Sequence, residues 1–265
     1  MKTAIAQMRV SSHKRKNINQ ILSYILLAKK ENADLVIFPE ISMALLPNKG
    51  NRNQAKIAEP VDGNFVTKLS QAAIQYRIHI IFGIYEKTKE TDKKFYNTLI
   101  FLNDKGHIIH KYRKTHLYDA FSYKESLNII PGNNKIIPIK TSLGTIGLMI
   151  CYELRFPEIS RTLALQGAEI LVIPAAWVSG VMKEEHLLLL SQARALENTV
   201  FVCIANQVGN IYTGRSVIYD PMGVILASKG EDEGLIFANI DLKRLEEIRA
   251  KLPTLKQRRP ELYTF

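Results

Sequence analysis

The chain has 265 residues, 46% of them hydrophobic and 23% charged, and a formal net charge of +11. That length supports one substantial core, and no Gly/Ser/Pro-rich linker, repeat or low-complexity stretch divides it, so one domain over residues 1–265 is expected. No apolar run approaches the roughly 18 residues that span a bilayer, and the 36 Lys+Arg lie scattered among 25 acids without a zinc-finger or aromatic RNA-binding motif, which speaks against membrane and nucleic-acid partners.

The first strand is predicted over Ala4–Met8, entered without the apolar stretch of a signal peptide. From Asn17 to Lys30 the 3.6-residue period puts Ile18, Ile21, Leu22, Ile25 and Leu26 on one helical face. A buried strand follows at Asp34–Phe38, ended by Pro39 and Glu40, and residues 41–62 read as a long polar connection. A helix is expected over Asn64–Tyr76, then strands at His79–Tyr85, Asn97–Leu102 and Ile108–Tyr112, the last two joined by the turn Asn103-Asp104-Lys105-Gly106. Residues 113–134 form a second long loop, too rich in aromatic and apolar residues to be plainly disordered.

Gly147-Leu148-Met149-Ile150 starts as a buried strand, breaks at Cys151, and resumes as a helix through Phe156, Ile159, Leu163 and Leu165, with Pro157 in a first turn that tolerates it. Further along, a strand at Ile170–Ile173 runs into Pro174-Ala175-Ala176-Trp177. The helix Lys183–Asn198 turns Leu187, Leu190, Ala193, Arg194 and Glu197 inward, and Val200–Ala205 is a strand with Cys203 in the core. Ser216–Tyr219 and Val224–Ala227 read as a hairpin, Gly234–Ile240 as the last strand, and Asp241 as the cap of a closing helix stopped by Pro253. Alternating βα units with hairpins define an α/β protein of layered sheets covered by helices.

Glu40, Lys114 and Cys151 all stand at strand ends. A free cysteine is most often a small buried hydrophobe, and a lone glutamate after a strand is most often a loop charge. At a strand-to-helix elbow, however, neighbouring N–H groups and a positive helix end are expected to favour the thiolate, the form that attacks carbonyl carbon. Two cysteines, one of them within a strand, make no disulfide framework, and a reducing compartment, the cytoplasm, is expected.

Phe38-Pro39-Glu40, Lys114-Thr115-His116-Leu117 and Ile150-Cys151-Tyr152-Glu153-Leu154-Arg155-Phe156-Pro157-Glu158 together resemble the nitrilase superfamily of carbon–nitrogen hydrolases. Ala193-Arg194-Ala195-Leu196-Glu197-Asn198 and Asp220-Pro221-Met222-Gly223 add to the match, which runs from Ala4 to Tyr263. The resemblance implies a four-layer α-β-β-α sandwich of two mixed sheets and a homodimer or larger homo-oligomer. It also implies thioester chemistry on a small linear amide, with Cys151 as nucleophile, Glu40 as base, Lys114 and the Tyr152 backbone N–H at the oxyanion, and Glu125 orienting the lysine. Such hydrolysis needs only water, a proton carrier and a stabilised oxyanion, so no metal or organic cofactor is expected. His116 leaves a Cys–His protease reading open, although the family pattern makes it structural.

Within the family, Lys114–Gly132 and Ala175–His186 are similar to the deaminated glutathione amidase branch, which implies Trp177 and Lys183 at the substrate. The alternative is the ω-amidase branch acting on 2-oxoglutaramate, whose bacterial members often carry Trp-Pro where this chain has Trp177-Val178. An inactive family-fold binding protein and a basic nucleic-acid binder are the readings outside catalysis.

Overall fold

Strands that alternate their apolar side chains between two faces can be buried on both, and that period organises this fold. The computed structural model describes residues 1–45, 57–89, 91 and 93–263. In chain order the strands begin with β1 (Lys2–Gln7), β2 (Leu35–Ile37), β3 (His79–Lys87), β4 (Phe95–Leu102), β5 (Ile108–Arg113), β6 (Asp119–Ala120), β7 (Tyr123–Lys124) and β8 (Ile139–Thr141). They continue with β9 (Gly144–Leu148), β10 (Ile170–Ala175), β11 (Phe201–Asn206), β12 (Val208–Gly209), β13 (Tyr212–Thr213), β14 (Val217–Tyr219), β15 (Ile225–Ser228) and β16 (Gly234–Asn239). The helices are α1 (Lys14–Lys30), α2 (Asn64–Tyr76), α3 (Pro157–Leu165), α4 (Lys183–Asn198) and α5 (Leu242–Lys251).

Among the described residues two six-stranded sheets form, in the orders β16-β1-β2-β3-β4-β5 and β15-β14-β11-β10-β9-β8. Each has a parallel centre, β1-β2-β3 in the first and β9-β10-β11 in the second, flanked by antiparallel strands. In the first sheet Ile5, Leu35, Ile37, Ile81, Leu99 and Phe101 face the second sheet. Their neighbours Ala4, Ala6, Val36, Phe38, Ile80, Phe82, Ile100 and Leu102 face the other way, into a core closed by α1 and α2. The second sheet is covered by α3 and α4, whose Ile159, Leu163, Leu187 and Ala195 join its core. The layers are therefore α-β-β-α, as the resemblance implies.

Several local expectations change. Leu26 is 39% exposed, and Ala28 takes its place on the inner face of α1. Leu165 at the end of α3 is exposed too, while Leu190, Ala193 and Glu197 of α4 are half-buried and Ser191, Ala195 and Asn198 do the inward packing. The connection after Glu40 does not begin as a polar loop: Ile41, Ser42, Met43 and Ala44 are buried, and residues 46–56 lie outside the described residues. Strand β10 runs through Pro174 to Ala175. Between Cys151 and α3 stands a 3₁₀ turn, Cys151–Arg155, so the α-helix starts only at Pro157. The loop after β5 folds on itself, with the two-residue hairpin β6-β7 and a 3₁₀ turn at Glu125–Leu127. Asp241 caps α5, its carboxylate accepting the Lys243 N–H at 3.0 Å.

Candidate active site

The carboxyl ends of parallel strands are where open α/β sheets place ligands, and here the ends of β2 and β9 meet the end of the antiparallel edge strand β5. Glu40 follows β2 after Phe38-Pro39 and is 3% exposed. Its backbone crosses directly over β3: a Cβ on Gly83 would collide with Ile41 N, so only glycine fits there. Ile41 sits at φ +50°, a costly conformation for a β-branched residue, which the packed surroundings hold in place. The Glu40 carboxylate is fully engaged. Oε1 accepts the Asn97 amide at 2.7 Å and the Lys114 ammonium at 2.9 Å, and Oε2 accepts the Ala176 N–H at 2.8 Å. The Gln207 amide donates to the Glu40 carbonyl at 2.9 Å.

Lys114 directly follows β5, its N–H on the Asn97 carbonyl at 2.9 Å and its carbonyl taking the Gly132 N–H at 2.8 Å. Its side chain is buried between two carboxylates, with Glu125 Oε2 at 2.9 Å facing Glu40. Burial by itself would lower the ammonium's pKa, but the charges of Glu125 and Glu40 and the nearby Cys151 outweigh it and hold it well above the ordinary lysine value. Glu125 is itself buried, and its Oε2 also accepts the Tyr118 N–H at 2.7 Å.

Cys151 occupies φ +45°, a strained conformation for a residue with a Cβ. Its sulfur lies within the influence of the Glu40 carboxylate, the Lys114 ammonium and the Ala176 N–H. The expectation of a thiolate favoured by the elbow is overturned. Burial, and after it the Glu40 charge, push the thiol well above its usual pKa, although Lys114 and the Ala176 N–H pull the other way. The reason is that Cys151 opens a five-residue 3₁₀ turn, Cys151–Arg155, rather than a long helix, and burial together with the Glu40 charge outweighs the local N–H groups.

Above these residues lies an aromatic rim. The Tyr118 ring meets those of Tyr152 at 5.1 Å, Tyr123 at 5.8 Å and Phe121 at 6.5 Å. Lys183, at the start of α4, is buried with its ammonium 3.3 Å from the Tyr118 hydroxyl and 3.8 Å from the Phe121 ring centre. Trp177 anchors that corner: its indole N–H donates to the Lys183 carbonyl at 2.8 Å, and the Arg155 guanidinium lies over its ring at 4.8 Å. Burial and the Arg155 charge lower the Lys183 pKa, and the Cys151 charge opposes them. Among the described residues neither Lys183 nor Arg155 has a carboxylate partner.

Asn97 and Arg155 escaped the sequence reading as site residues. A buried Asn in the middle of the apolar run Phe95–Leu102 was the available signal for Asn97. For Arg155, nothing in a charge beside the cysteine motif distinguishes a site cation from a surface one. His116 takes another course: its Nδ1 is 2.8 Å from the Thr115 hydroxyl and its ring lies tilted against Phe156, with centroids 4.1 Å apart. Among the described residues no cluster of three His, Cys, Asp or Glu side chains could hold a metal ion.

The sequence pattern of the carbon-nitrogen hydrolase family matches residues 2–250. The chain belongs to that family. As a carbon-nitrogen hydrolase it acts on carbon–nitrogen bonds other than peptide bonds. It is 38% identical to the deaminated glutathione amidase of Escherichia coli O157:H7, over 98% of this chain and 97% of that protein. It is 33% identical to mouse omega-amidase NIT2, over 98% of this chain and 96% of that one. In three dimensions it is similar to Saccharomyces cerevisiae Nit3, with a TM-score of 0.87 at 33% identity over 98% of this chain and 96% of that chain. The C. elegans NitFhit protein aligns with a TM-score of 0.92 at 29% identity, over 99% of this chain and 66% of that chain.

Proposed function

We propose that this carbon-nitrogen hydrolase is a cysteine amidase of the deaminated glutathione amidase type, with residues 1–265 acting as one catalytic domain. The observation that carries the mechanism is the buried Cys151 thiol, on which the Glu40 charge acts, beside a Lys114 held between Glu40 and Glu125. Glu40 removes the thiol proton as sulfur attacks the amide carbonyl carbon. The resulting oxyanion is met by the Lys114 ammonium and the Tyr152 backbone N–H, in a buried setting where such charges act strongly. The C–N bond then breaks, Glu40 returns its proton to the leaving nitrogen, and a thioester remains on Cys151. Water, deprotonated by Glu40, attacks the thioester carbonyl, and the acid departs as the thiol is restored. Every proton passes through one carboxylate, and neither metal nor organic cofactor takes part.

The substrate class rests on Lys183 and Arg155, cations at the rim that have no carboxylate partner among the described residues, with Trp177 beneath the guanidinium. They suit a substrate that brings its own carboxylates, such as the 2-oxo analogue of glutathione, and the similarity to deaminated glutathione amidases supports that choice. The ω-amidase alternative, 2-oxoglutaramate, is shorter and also anionic. A panel of linear ω-amides and 2-oxo dicarboxylic amides, assayed for ammonia and amine release, separates them: release of amine from deaminated glutathione as the best reaction is expected. Faster turnover of 2-oxoglutaramate moves the protein to the ω-amidase type, and no hydrolysis of any amide removes the catalytic reading. The reading also takes the enzyme as cytoplasmic, where its thiol stays reduced, and as a homodimer or larger homo-oligomer.

A further inference from the structure

One buried carboxylate near the site has no role in the chemistry above. Glu153 is wholly buried, and among the described residues no cation pairs with it. Hydrogen bonds hold it instead. Oε1 accepts the Thr115 N–H at 2.7 Å, the Thr115 hydroxyl at 2.6 Å and, more weakly, the His116 N–H at 3.4 Å. Oε2 accepts the Ile150 N–H at 2.7 Å, and the Tyr112 hydroxyl reaches both oxygens at 2.9 Å.

We infer that Glu153 is a positioning residue that sets the separation between Lys114 and Cys151. One of its oxygens grips the residue after the lysine, and the other grips the residue before the cysteine. Those two residues leave different sheets, Lys114 from the end of β5 and Cys151 beyond β9. No backbone ladder joins the sheets there, and the apolar side chains packed between them are non-directional. Hydrogen bonds to a carboxylate are short and directional, so this one group registers one sheet's catalytic end against the other's. Burial raises the Glu153 pKa, and the Thr115, Ile150 and Tyr112 bonds oppose that, so the charged form the clamp needs depends on all its donors. This inference rests on the proposed roles of Cys151 and Lys114.

Glu153→Gln keeps the shape but turns an NH2 toward one set of N–H donors, which opens half of the clamp. Thr115→Val with Tyr112→Phe removes donors while leaving the carboxylate, and Thr115→Ser restores the hydroxyl. Steady-state kinetics on the best amide of the panel would be read together with the pH profile of Cys151 alkylation by iodoacetamide. The groups acting on that thiol are Glu40 and Lys114, with Lys183, Tyr118 and Tyr212 farther out. The expected result for Glu153→Gln is a kcat loss of about tenfold or more, equal to roughly 1.4 kcal/mol of barrier, with KM within about twofold. The alkylation profile should move to higher pH as Lys114 loses its grip on the thiol. The Thr115→Val/Tyr112→Phe pair should change kcat and profile in the same direction, Thr115→Ser should behave as the parent, and the pair carries the test if Glu153→Gln does not fold. A drop in Tm with kcat and profile unchanged would mean a purely structural carboxylate and overturn the inference. Cys151→Ala distinguishes the two levels: if it stays active the catalytic reading itself fails, whereas an inactive Cys151→Ala beside a fully active Glu153→Gln removes only the clamp.

Discussion

Glu125 holds Lys114 with both carboxylate oxygens, Oε1 at 3.1 Å and Oε2 at 2.9 Å. A loop residue thus shares the lysine with Glu40, and the ammonium faces two negative charges in a buried site. Removing the ammonium leaves those carboxylates repelling each other. Lys114→Met is therefore expected to abolish turnover and to destabilise the fold by about 3–5 kcal/mol, measured by urea denaturation at pH 7. Glu125→Gln keeps Glu40 on the lysine and should fold, with kcat lowered about 100-fold through loss of lysine orientation. Wild-type kcat in Glu125→Gln would reduce Glu125 to a loop anchor for Tyr118.

The two cysteines should separate cleanly in chemistry. Cys203 lies within β11, fully buried, and burial pushes its pKa up to about 12. Cys151 is buried too, but it follows a strand end and the charges of Glu40 and Lys114 act on it. Native protein treated with iodoacetamide should gain one label, on Cys151, and acid-quenched turnover should show the acyl mass on the same residue. Cys151→Ala should be inactive, and Cys151→Ser nearly so because a hydroxyl is far less acidic than a thiol. An acyl group found on Cys203 would end the proposed mechanism.

Where periodicity is long, the sequence was a good guide: α2 and α4 have the bounds expected from pattern, and the α/β layering follows from two-faced apolar strands. The candidate site was legible because Glu40, Lys114, Cys151 and Glu125 sit in short motifs whose spacing the resemblance could read. What stayed hidden depends on tertiary contact. The Cys151 pKa is raised by burial and then by a carboxylate 111 positions away in sequence, and no local elbow argument could find its sign. Asn97 serves two glutamates only because β4 runs beneath both, and the two-residue hairpin β6-β7 is too short to leave a period.

Away from the site, Glu86 on β3 gives a pH prediction. Arg113 Nε and a terminal guanidinium nitrogen reach its two oxygens at 2.8 and 2.7 Å, joined by Lys111 at 3.0 Å and the Thr98 hydroxyl at 2.8 Å. Burial would raise its pKa, but the bonds from Arg113, Lys111 and Thr98 bring it below the ordinary value of 4.5. A depressed carboxylate stabilises the fold above its unfolded pKa, and that contribution disappears as pH falls through the folded one. Glu86→Gln should therefore be less stable than the parent at pH 7, with the gap closing below pH 4.5. Denaturation curves at several pH values check this, and a gap that is constant from pH 7 to acid would show that the charge contributes nothing.

Selectivity for an anionic substrate should reside in Lys183 and Arg155. Among the described residues Lys183 meets the Tyr118 hydroxyl and the Phe121 ring rather than a carboxylate, so a substrate carboxylate replaces neutral partners with a charged one. A contact made equally in ground and transition states alters KM and leaves kcat alone. Lys183→Ala should raise KM on deaminated glutathione with kcat largely intact, and a charge-assisted contact of about 1.5–3 kcal/mol corresponds to roughly a tenfold to hundredfold loss in kcat/KM. Arg155→Lys keeps a positive charge but not the flat guanidinium over Trp177, and it should lose part of the same selectivity. The decisive comparison is a short neutral amide without carboxylates, on which Lys183→Ala should equal the parent. If the variant loses as much on the neutral amide as on the anionic one, Lys183 is supporting the aromatic rim rather than reading the substrate's charge.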